Sequence, residues 1–325
     1  MSALIQAQHL HRRYADTHAV DDVSIHLQQG DILGLLGPNG AGKSSCLQML
    51  CGVLAPTAGE ILINGIDLLD RPQQAKQHIG YLADKPPLYP ELSVDEYLTY
   101  AARLRKVPKA QLPALLDQAK QRCALGDYAK RLIANLSKGY QQRVGIAQAI
   151  IHQPDVIILD EPTVGLDPIQ MREIRNLITE LGAQHGIILS THILPEVQAV
   201  CNRVQLIHQG KSVFNKPMHE IQQHEKVLIH LQQPPETQAL LKIPTVQSIE
   251  NIDPINTGRY LLSGNNLARS LTQISEYCVA QGWGLREIHL QQNSLEQIFL
   301  QLTTGEDSLN NNGLDNNTAQ KVATA

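Results

Sequence analysis

The feature that most restricts the fold is a glycine-rich stretch, GLLGPNGAGKSS, which runs from Gly34 to Ser45. So many glycines destabilise a chain unless the backbone needs positive φ or a close approach to another group. A short apolar run, Ile32 to Leu36, precedes the stretch, and an apolar segment that predicts a helix, Cys46 to Leu50, follows it. A strand, a glycine loop and a helix in this order place backbone N–H groups where they can bind a phosphate.

The same stretch fits the pattern G-x-x-x-x-G-K-[ST]. In this pattern the backbone N–H groups of the loop hold the phosphates of a nucleotide, and Lys43 neutralises oxygens of the β- and γ-phosphates. The hydroxyl of Ser44 then becomes a ligand of Mg²⁺. The pattern therefore predicts a nucleotide-binding loop made of Gly37, Pro38, Asn39, Gly40, Ala41, Gly42, Lys43 and Ser44.

Short apolar runs alternate with helical patterns and predict an α/β fold with a parallel sheet and crossover helices. The predicted strands of this sheet are Ile79 to Ala83, Val156 to Leu159 and Ile187 to Ser190. Residues 3–36 have alternating apolar positions and predict antiparallel strands. Residues 92–133 carry helical patterns only and predict a helical insert, which opens on the capping-box sequence Ser-Val-Asp-Glu.

The character of the sequence changes after Lys216-Pro217, where glutamine and histidine become frequent and glycine loops vanish. We therefore predict a nucleotide-binding domain over residues 1–215 and a small α+β domain over residues 216–303. Residues 304–325 are polar and rich in asparagine, and they have little to bury. Their composition predicts a disordered tail.

A second motif, VIILDEP, places Asp160 and Glu161 at the end of an apolar strand. An open α/β sheet binds ligands at the carboxyl ends of its strands, which is also where the phosphate loop begins. Asp160 can then reach the ligand shell of Mg²⁺, and Glu161 can polarise a water in line with the γ-phosphate. An acidic pair after a strand more often caps a helix, but the phosphate loop upstream favours the catalytic interpretation.

Two further motifs precede and follow that strand. LSKGYQQRV begins a predicted helix, in which Ser137 is a natural cap and Gly139 allows the backbone to approach an anion. Ser-Thr-His ends the next predicted strand and brings His192 to the same edge of the sheet. Each motif alone is weak, because a Ser-x-Gly start is usually only a cap and a lone histidine is usually only a satisfied polar residue.

Together and in this order, the motifs resemble those of the ATP-binding subunits of ABC transporters, over about residues 3–215. GPNGAGKSS, which includes Ser45, resembles Walker A; LSKGYQQR resembles the signature motif; and VIILDEP resembles Walker B with the catalytic glutamate. VGLDP resembles the D-loop, and His192 matches the switch histidine. Tyr14 matches the aromatic residue that stacks on adenine, although a lone tyrosine beside strands is more often part of a core or its rim.

The resemblance implies a P-loop ATPase that uses ATP and Mg²⁺, with Glu161, His192 and Lys43 in catalysis and Ser44, Asp84 and Asp160 at the metal. It also implies that the chain pairs head to tail with a second ATP-binding subunit, as a homodimer. Ser137 and Gly139 would then serve the nucleotide of the partner. A separate transmembrane permease is implied as well, which would hold the chain at the inner face of the cell membrane.

The sequence departs from the family pattern at four positions. The signature has Lys138 and Tyr140 where glycine and glutamine are commoner, and the same variant occurs in bacterial exporters of the ABC-2 type. The ending SLEQIFLQLT resembles that group too, including gliding-motility-associated ATPases. After the strand IGYL, Ala83 replaces the usual proline, and Asp84 stands where the family has glutamine or glutamate. Asp84 can accept a hydrogen bond from metal-bound water, or it can merely cap a loop.

Composition bears on the partners and the compartment of the chain. The net charge of −4 gives no electrostatic reason to expect nucleic acid as a partner. Five scattered cysteines without CxxC spacing indicate a reducing compartment, and neither a signal sequence nor an apolar run of membrane-spanning length is visible, so we expect a cytoplasmic protein. The main alternative is a soluble ABC ATPase of translation or DNA repair, and a small-molecule P-loop kinase is a third, which would need neither LSKGYQQR nor the switch histidine.

Overall fold

The computed structural model describes residues 3–223, 225–243, 245–252, 258–264, 267–292 and 295–304. The strands within these residues are β1 (Ile5–Tyr14), β2 (Thr17–Leu27), β3 (Ile32–Leu36), β4 (Ala58–Ile63), β5 (Ile66–Asp67), β6 (Ile79–Leu82), β7 (Val156–Asp160), β8 (Gly186–Thr191), β9 (Arg203–His208), β10 (Lys211–Pro217), β11 (Glu225–Leu231), β12 (Val246–Asn251), β13 (Arg259–Gly264) and β14 (Leu285–Gln292).

The helices within the same residues are α1 (Lys43–Leu50), α2 (Pro72–Ala75), α3 (Val94–Leu104), α4 (Leu112–Arg122), α5 (Lys138–Ile150), α6 (Pro168–Gly182), α7 (Leu194–Val200), α8 (Met218–Gln223), α9 (Thr237–Leu240), α10 (Leu267–Ala280) and α11 (Leu295–Thr304). Short 3₁₀ turns cover Lys76–His78, Gly126–Tyr128 and Ile133–Asn135. Within the described part of the chain, no helix is long and apolar enough to cross a membrane.

The central sheet has the strand order β10-β9-β3-β8-β7-β6 and is parallel except for its edge strand β10. Every residue of β3, β7 and β8 is buried, as expected for parallel strands covered on both faces. The register pairs Leu36 with Thr191 and Asp160 with Ser190. The residues that follow these three strands therefore emerge at one edge of the sheet.

A second sheet, of order β2-β1-β4-β5, is antiparallel and packs with the central sheet around one core. The prediction of antiparallel strands over residues 3–36 is correct for β1 and β2 but wrong for Ile32–Leu36. That segment is β3, which runs parallel to β8 and β9 at the centre of the other sheet. Its five consecutive buried apolar residues are the pattern of a strand covered on both faces, whereas β1 and β2 alternate.

The helical insert contains α3 and α4. The predicted capping box is confirmed: the Ser93 hydroxyl accepts from the backbone N–H of Glu96, and the Glu96 carboxylate accepts from the backbone N–H of Ser93 at 2.8 Å. The ammonium of Lys120 on α4 lies 2.8 Å from the carboxylate of Asp95 on α3. The cap and this ion pair fix the start of α3 against α4.

The chain divides into two compact units, with the boundary between Ile221 and Gln222. This boundary lies beyond residue 215 because β10 pairs with β9 through Pro217, and the N–H of Met218 donates to the carbonyl of Asn202. The second unit holds an antiparallel sheet of order β12-β13-β11-β14 with its own apolar core. Of the predicted tail, only Thr304, the last residue of α11, is described, and residues 305–325 lie outside the described residues.

Candidate functional site

The glycine loop joins the buried strand β3 to helix α1, as the sequence predicts. Gly42 has φ of 107°, and a Cβ atom at this position would lie 2.3 Å from the carbonyl oxygen of Ala19. A Cβ atom on Gly37 would lie 2.2 Å from the carbonyl oxygen of Ile207. Both positions therefore require glycine, and the loop backbone lies close to the ends of neighbouring strands.

The Lys43 side chain is buried beneath this loop, with a residue exposure of 5%. Its ammonium donates hydrogen bonds to the carbonyl oxygens of Gly37 at 2.7 Å and Pro38 at 3.2 Å, and it lies 3.8 Å from Oε1 of Glu161. Burial lowers the pKa of Lys43, and the carboxylates of Glu161 and Asp160 partly oppose that shift. The loop thus holds a desolvated cation whose nearest carboxylate oxygen, Oε1 of Glu161, is 3.8 Å away.

Asp160 is buried at the end of β7. Its Oδ1 accepts a hydrogen bond from the Ser190 hydroxyl at 2.5 Å and lies 3.4 Å from the hydroxyl of Ser44 at the start of α1. Two strand ends and one helix start therefore bring carboxylate and hydroxyl oxygens together.

Glu161 has φ of 48°, and its backbone N–H donates to the Ser190 hydroxyl at 3.0 Å. Both oxygens of its carboxylate lie 3.0 Å from Nδ1 of His192, and one of them faces the ammonium of Lys43. The left-handed backbone turns the side chain out of the strand direction. It points this carboxylate across the edge of the sheet, between the imidazole and the ammonium.

A single cleft of about 480 Å³ contains most of the predicted residues. Its lining consists of Ala19, Asn39, Gly40, Gly42, Lys43, Ser44, Ser45, Asp84, Glu161, Val164 and His192. Gly37, Pro38 and Ala41 belong to the loop without lining the cleft, and Asp160 lies beneath it, in contact with Ser44. Val164 is the first residue of the D-loop-like stretch VGLDP, whereas nothing in the side chain of Ala19 predicts its place in the lining.

Three predicted residues lie away from this lining. Tyr14 ends β1 with 45% of its surface exposed, and the guanidinium of Arg12 lies 4.6 Å from its ring centroid. Ser137 caps α5, as predicted, and its hydroxyl accepts from the N–H of Tyr140 at 3.5 Å. Gly139 is buried in the first turn of that helix, where a Cβ atom would lie 2.6 Å from the Gln170 side chain.

A buried group of polar side chains behind the cleft was missed by sequence reasoning. Thr163 and Thr191 both donate hydrogen bonds to the carboxylate of Glu196, which is only 1% exposed. Ser190 belongs to the histidine motif, but the sequence does not predict its contacts with both Asp160 and Glu161. Polar residues at the end of an apolar strand were the available signal for Ser190 and Thr191; none marked Glu196.

The chain is similar to known proteins in both sequence and structure. The family model described as ABC transporter matches residues 20–164. The bacitracin transport ATP-binding protein BcrA of Bacillus licheniformis is 30% identical over 94% of this chain and 99% of its own length. An ABC transporter ATP-binding protein of Bacillus subtilis, YxlF, is 30% identical over 92% of this chain and 99% of its own length. A solved ATP-binding subunit of an ABC transporter is 31% identical, with a TM-score of 0.62 over 67% of this chain and 92% of that chain.

Proposed function

We propose that this chain, which belongs to the family of ABC transporter ATP-binding proteins, drives a separate transmembrane permease, with export as the direction. It is an ATP-binding and ATP-hydrolysing subunit with the P-loop fold. The relatives carry names of transport proteins, and this supports transport over a role in translation or DNA repair. The proposal places the chain at the inner face of the cell membrane through its permease.

The observation that carries the catalytic proposal is the convergence of Lys43, Ser44, Glu161 and His192 on one cleft. Loop N–H groups and the Lys43 ammonium would bind the β- and γ-phosphates of ATP. Glu161 would accept a proton from the attacking water, and His192, 3.0 Å from its carboxylate, would hold that carboxylate in place.

The oxygen donors in the cleft fit Mg²⁺, which prefers carboxylate, hydroxyl and water oxygens. The Ser44 hydroxyl and the Asp160 carboxylate are 3.4 Å apart, and Asp84 lines the same cleft. We propose these three residues as the holders of the ion, either directly or through water. Bound there, Mg²⁺ would neutralise negative charge on the phosphate oxygens.

The transport proposal is tested by purifying the tagged chain from membranes of the cells that naturally produce it. A membrane protein that co-purifies would be reconstituted with the chain in lipid vesicles, and ATP hydrolysis would be compared with that of the chain alone. We expect the permease to stimulate hydrolysis. If none of the membrane proteins isolated in this way changes the rate of ATP hydrolysis by the chain, the result would contradict the transport function. It would favour the soluble alternative.

We predict that hydrolysis requires a head-to-tail dimer, in which Ser137 and Gly139 complete the partner's nucleotide site. Lys43→Met and Ser137→Asp should each be nearly inactive; aspartate still caps a helix but places a negative charge beside the phosphates. Mixing the two variants in equal amounts should restore about one quarter of wild-type turnover, because half of the dimers are mixed and each has one intact site.

The readout is phosphate release, with each variant alone at the same total concentration as the control. Failure of the mixture to exceed either variant, although crosslinking shows mixed dimers, would contradict the shared site. In addition, specific activity of the wild-type chain should fall on dilution, because dilution separates the subunits.

Asp84 is exposed and lines the cleft at the carboxyl end of β6. We propose that it senses the γ-phosphate and conveys that state to the permease. Since aspartate is one methylene shorter than glutamate, a bridging water can span the difference at low cost. Asp84→Glu should then match or exceed the native permease-stimulated ATPase rate, and Asp84→Ala should weaken the stimulation while sparing ATP affinity.

The matched control for Asp84 is Asp70→Ala, because Asp70 is an exposed aspartate outside the cleft lining. The measurement is the rate of ATP hydrolysis by each variant, with and without the reconstituted permease. Equal stimulation across aspartate, glutamate and alanine would show that Asp84 only caps or solvates its loop.

A further inference from the structure

We propose that Glu196 is a positioning residue. It holds two segments at a fixed distance from each other: the loop after β7 that contains Glu161 and Thr163 (the Glu161 loop), and the turn after β8 that contains His192 (the His192 turn). This inference rests on the roles proposed above for Glu161 and His192. It concerns a carboxylate that lies outside the lining of the cleft and belongs to none of the motifs in the sequence.

Each oxygen of the Glu196 carboxylate binds a different segment of the site. Oε1 accepts a hydrogen bond from the hydroxyl of Thr163, two residues after Glu161. Oε2 accepts a hydrogen bond from the hydroxyl of Thr191 at 2.7 Å, one residue before His192. The two loops are therefore joined through one side chain behind the point where Glu161 and His192 meet at 3.0 Å.

The surroundings of Glu196 indicate that this carboxylate has a specific task. Glu196 is 1% exposed, and a buried carboxylate is costly unless charges and hydrogen bonds compensate it. The guanidinium of Arg175 on α6 lies 3.6 Å from Oε1, and its side chain is one quarter exposed. An apolar side chain of similar size would fill the same space without joining two loops, so burial alone does not explain a glutamate here.

The turn after β8 shows how the position is transmitted. The Thr191 hydroxyl that donates to Glu196 also accepts a hydrogen bond from the backbone N–H of Ile193 at 3.0 Å. Thr191 and Ile193 flank His192, so these two bonds define the direction in which the imidazole leaves the strand. Loss of the carboxylate would release this turn and the Thr163 end of the Glu161 loop together.

The test compares Glu196→Ala with Glu196→Gln in the full-length chain. Glu196→Ala should lower kcat on the order of 100-fold, because misplacement of reacting groups by about 1 Å has effects of that size. The KM for ATP should stay within about twofold, since the phosphate loop is untouched. Glu196→Gln keeps the shape and can hydrogen-bond to both hydroxyls, so it should restore most of kcat.

The control for a merely structural effect is Val197→Ala, which creates a cavity at a fully buried neighbour on the same helix. It should lower the Tm and leave kcat unchanged. If Glu196→Ala does not fold, Thr191→Val removes a single hydroxyl and should also lower kcat without raising KM, by a smaller factor of about tenfold.

Wild-type kcat in Glu196→Ala, or a raised KM with unchanged kcat, would overturn the positioning role. Glu161→Gln in the same assay separates a failure of the role of Glu196 from a failure of the role of Glu161. If it is inactive while Glu196→Ala is fully active, only the role of Glu196 fails. If Glu161→Gln turns over normally, the proposed role of Glu161 fails first, and this inference falls with it.

Discussion

Glu161→Gln is expected to abolish most ATP turnover while nucleotide affinity is retained. A general base contributes about 10²- to 10⁴-fold to rate, and the amide cannot take the proton of the attacking water. The substitution leaves the glycine loop unchanged, because the ammonium of Lys43 keeps its two carbonyl partners, on Gly37 and Pro38. Glutamine also fits beside His192, since it has the shape of glutamate.

The measurement is phosphate release at saturating Mg-ATP, together with calorimetric titration of ATP. Glu180→Gln provides the control, because Glu180 is exposed on α6, outside the cleft lining. Turnover within about tenfold of wild type in Glu161→Gln would contradict the assignment of the general base, since the expected loss starts at about 10²-fold. A large loss of ATP affinity would instead show that Glu161 supports the phosphate loop.

The fold of the first unit was predictable because its signals are local. Within a few residues, each of three patterns predicts a helix or strand: the glycine loop, the apolar run before Asp160 and the capping box at Ser93. The parallel position of Ile32–Leu36 was missed, because the strands beside it, β8 and β9, come over 150 residues later. A five-residue apolar run shows that a strand is buried, but its partner is a property of the whole chain.

The difference between local signals and contacts with distant parts of the chain also explains how much of the candidate site could be predicted. Lys43 and Ser44 are fixed by one motif, and Asp160 and Glu161 by another, so the sequence indicates each pair with its chemistry. The contact between Glu161 and His192 joins residues 31 positions apart, and it depends on β7 and β8 being neighbours. Glu196 was invisible for a further reason: one acidic residue in a short helix normally faces solvent, and only the packing buries it.

Lys43→Met is expected to separate nucleotide binding from folding stability. Methionine has a similar length but cannot interact with phosphate, and a hydrogen bond to a charged group contributes about 1.5–3 kcal/mol. Affinity for ATP should therefore fall by about 10- to 100-fold. Burial lowers the pKa of Lys43, which means that the folded state disfavours the charged form. The Tm of the nucleotide-free variant should accordingly be no lower than that of the wild type.

Thermal unfolding with and without Mg-ATP measures both effects at once. At an ATP concentration of 100 Kd, binding stabilises the wild-type chain by about 2.7 kcal/mol, whereas a 100-fold weaker site gains about 0.4 kcal/mol at the same concentration. Lys85→Met is the matched control, because it removes an exposed lysine outside the cleft lining and should keep the full shift. An undiminished shift in Lys43→Met would show that the phosphates bind without this ammonium. A fall in the nucleotide-free Tm would show instead that the hydrogen bonds from Lys43 to Gly37 and Pro38 stabilise the loop by more than burial of the charge costs.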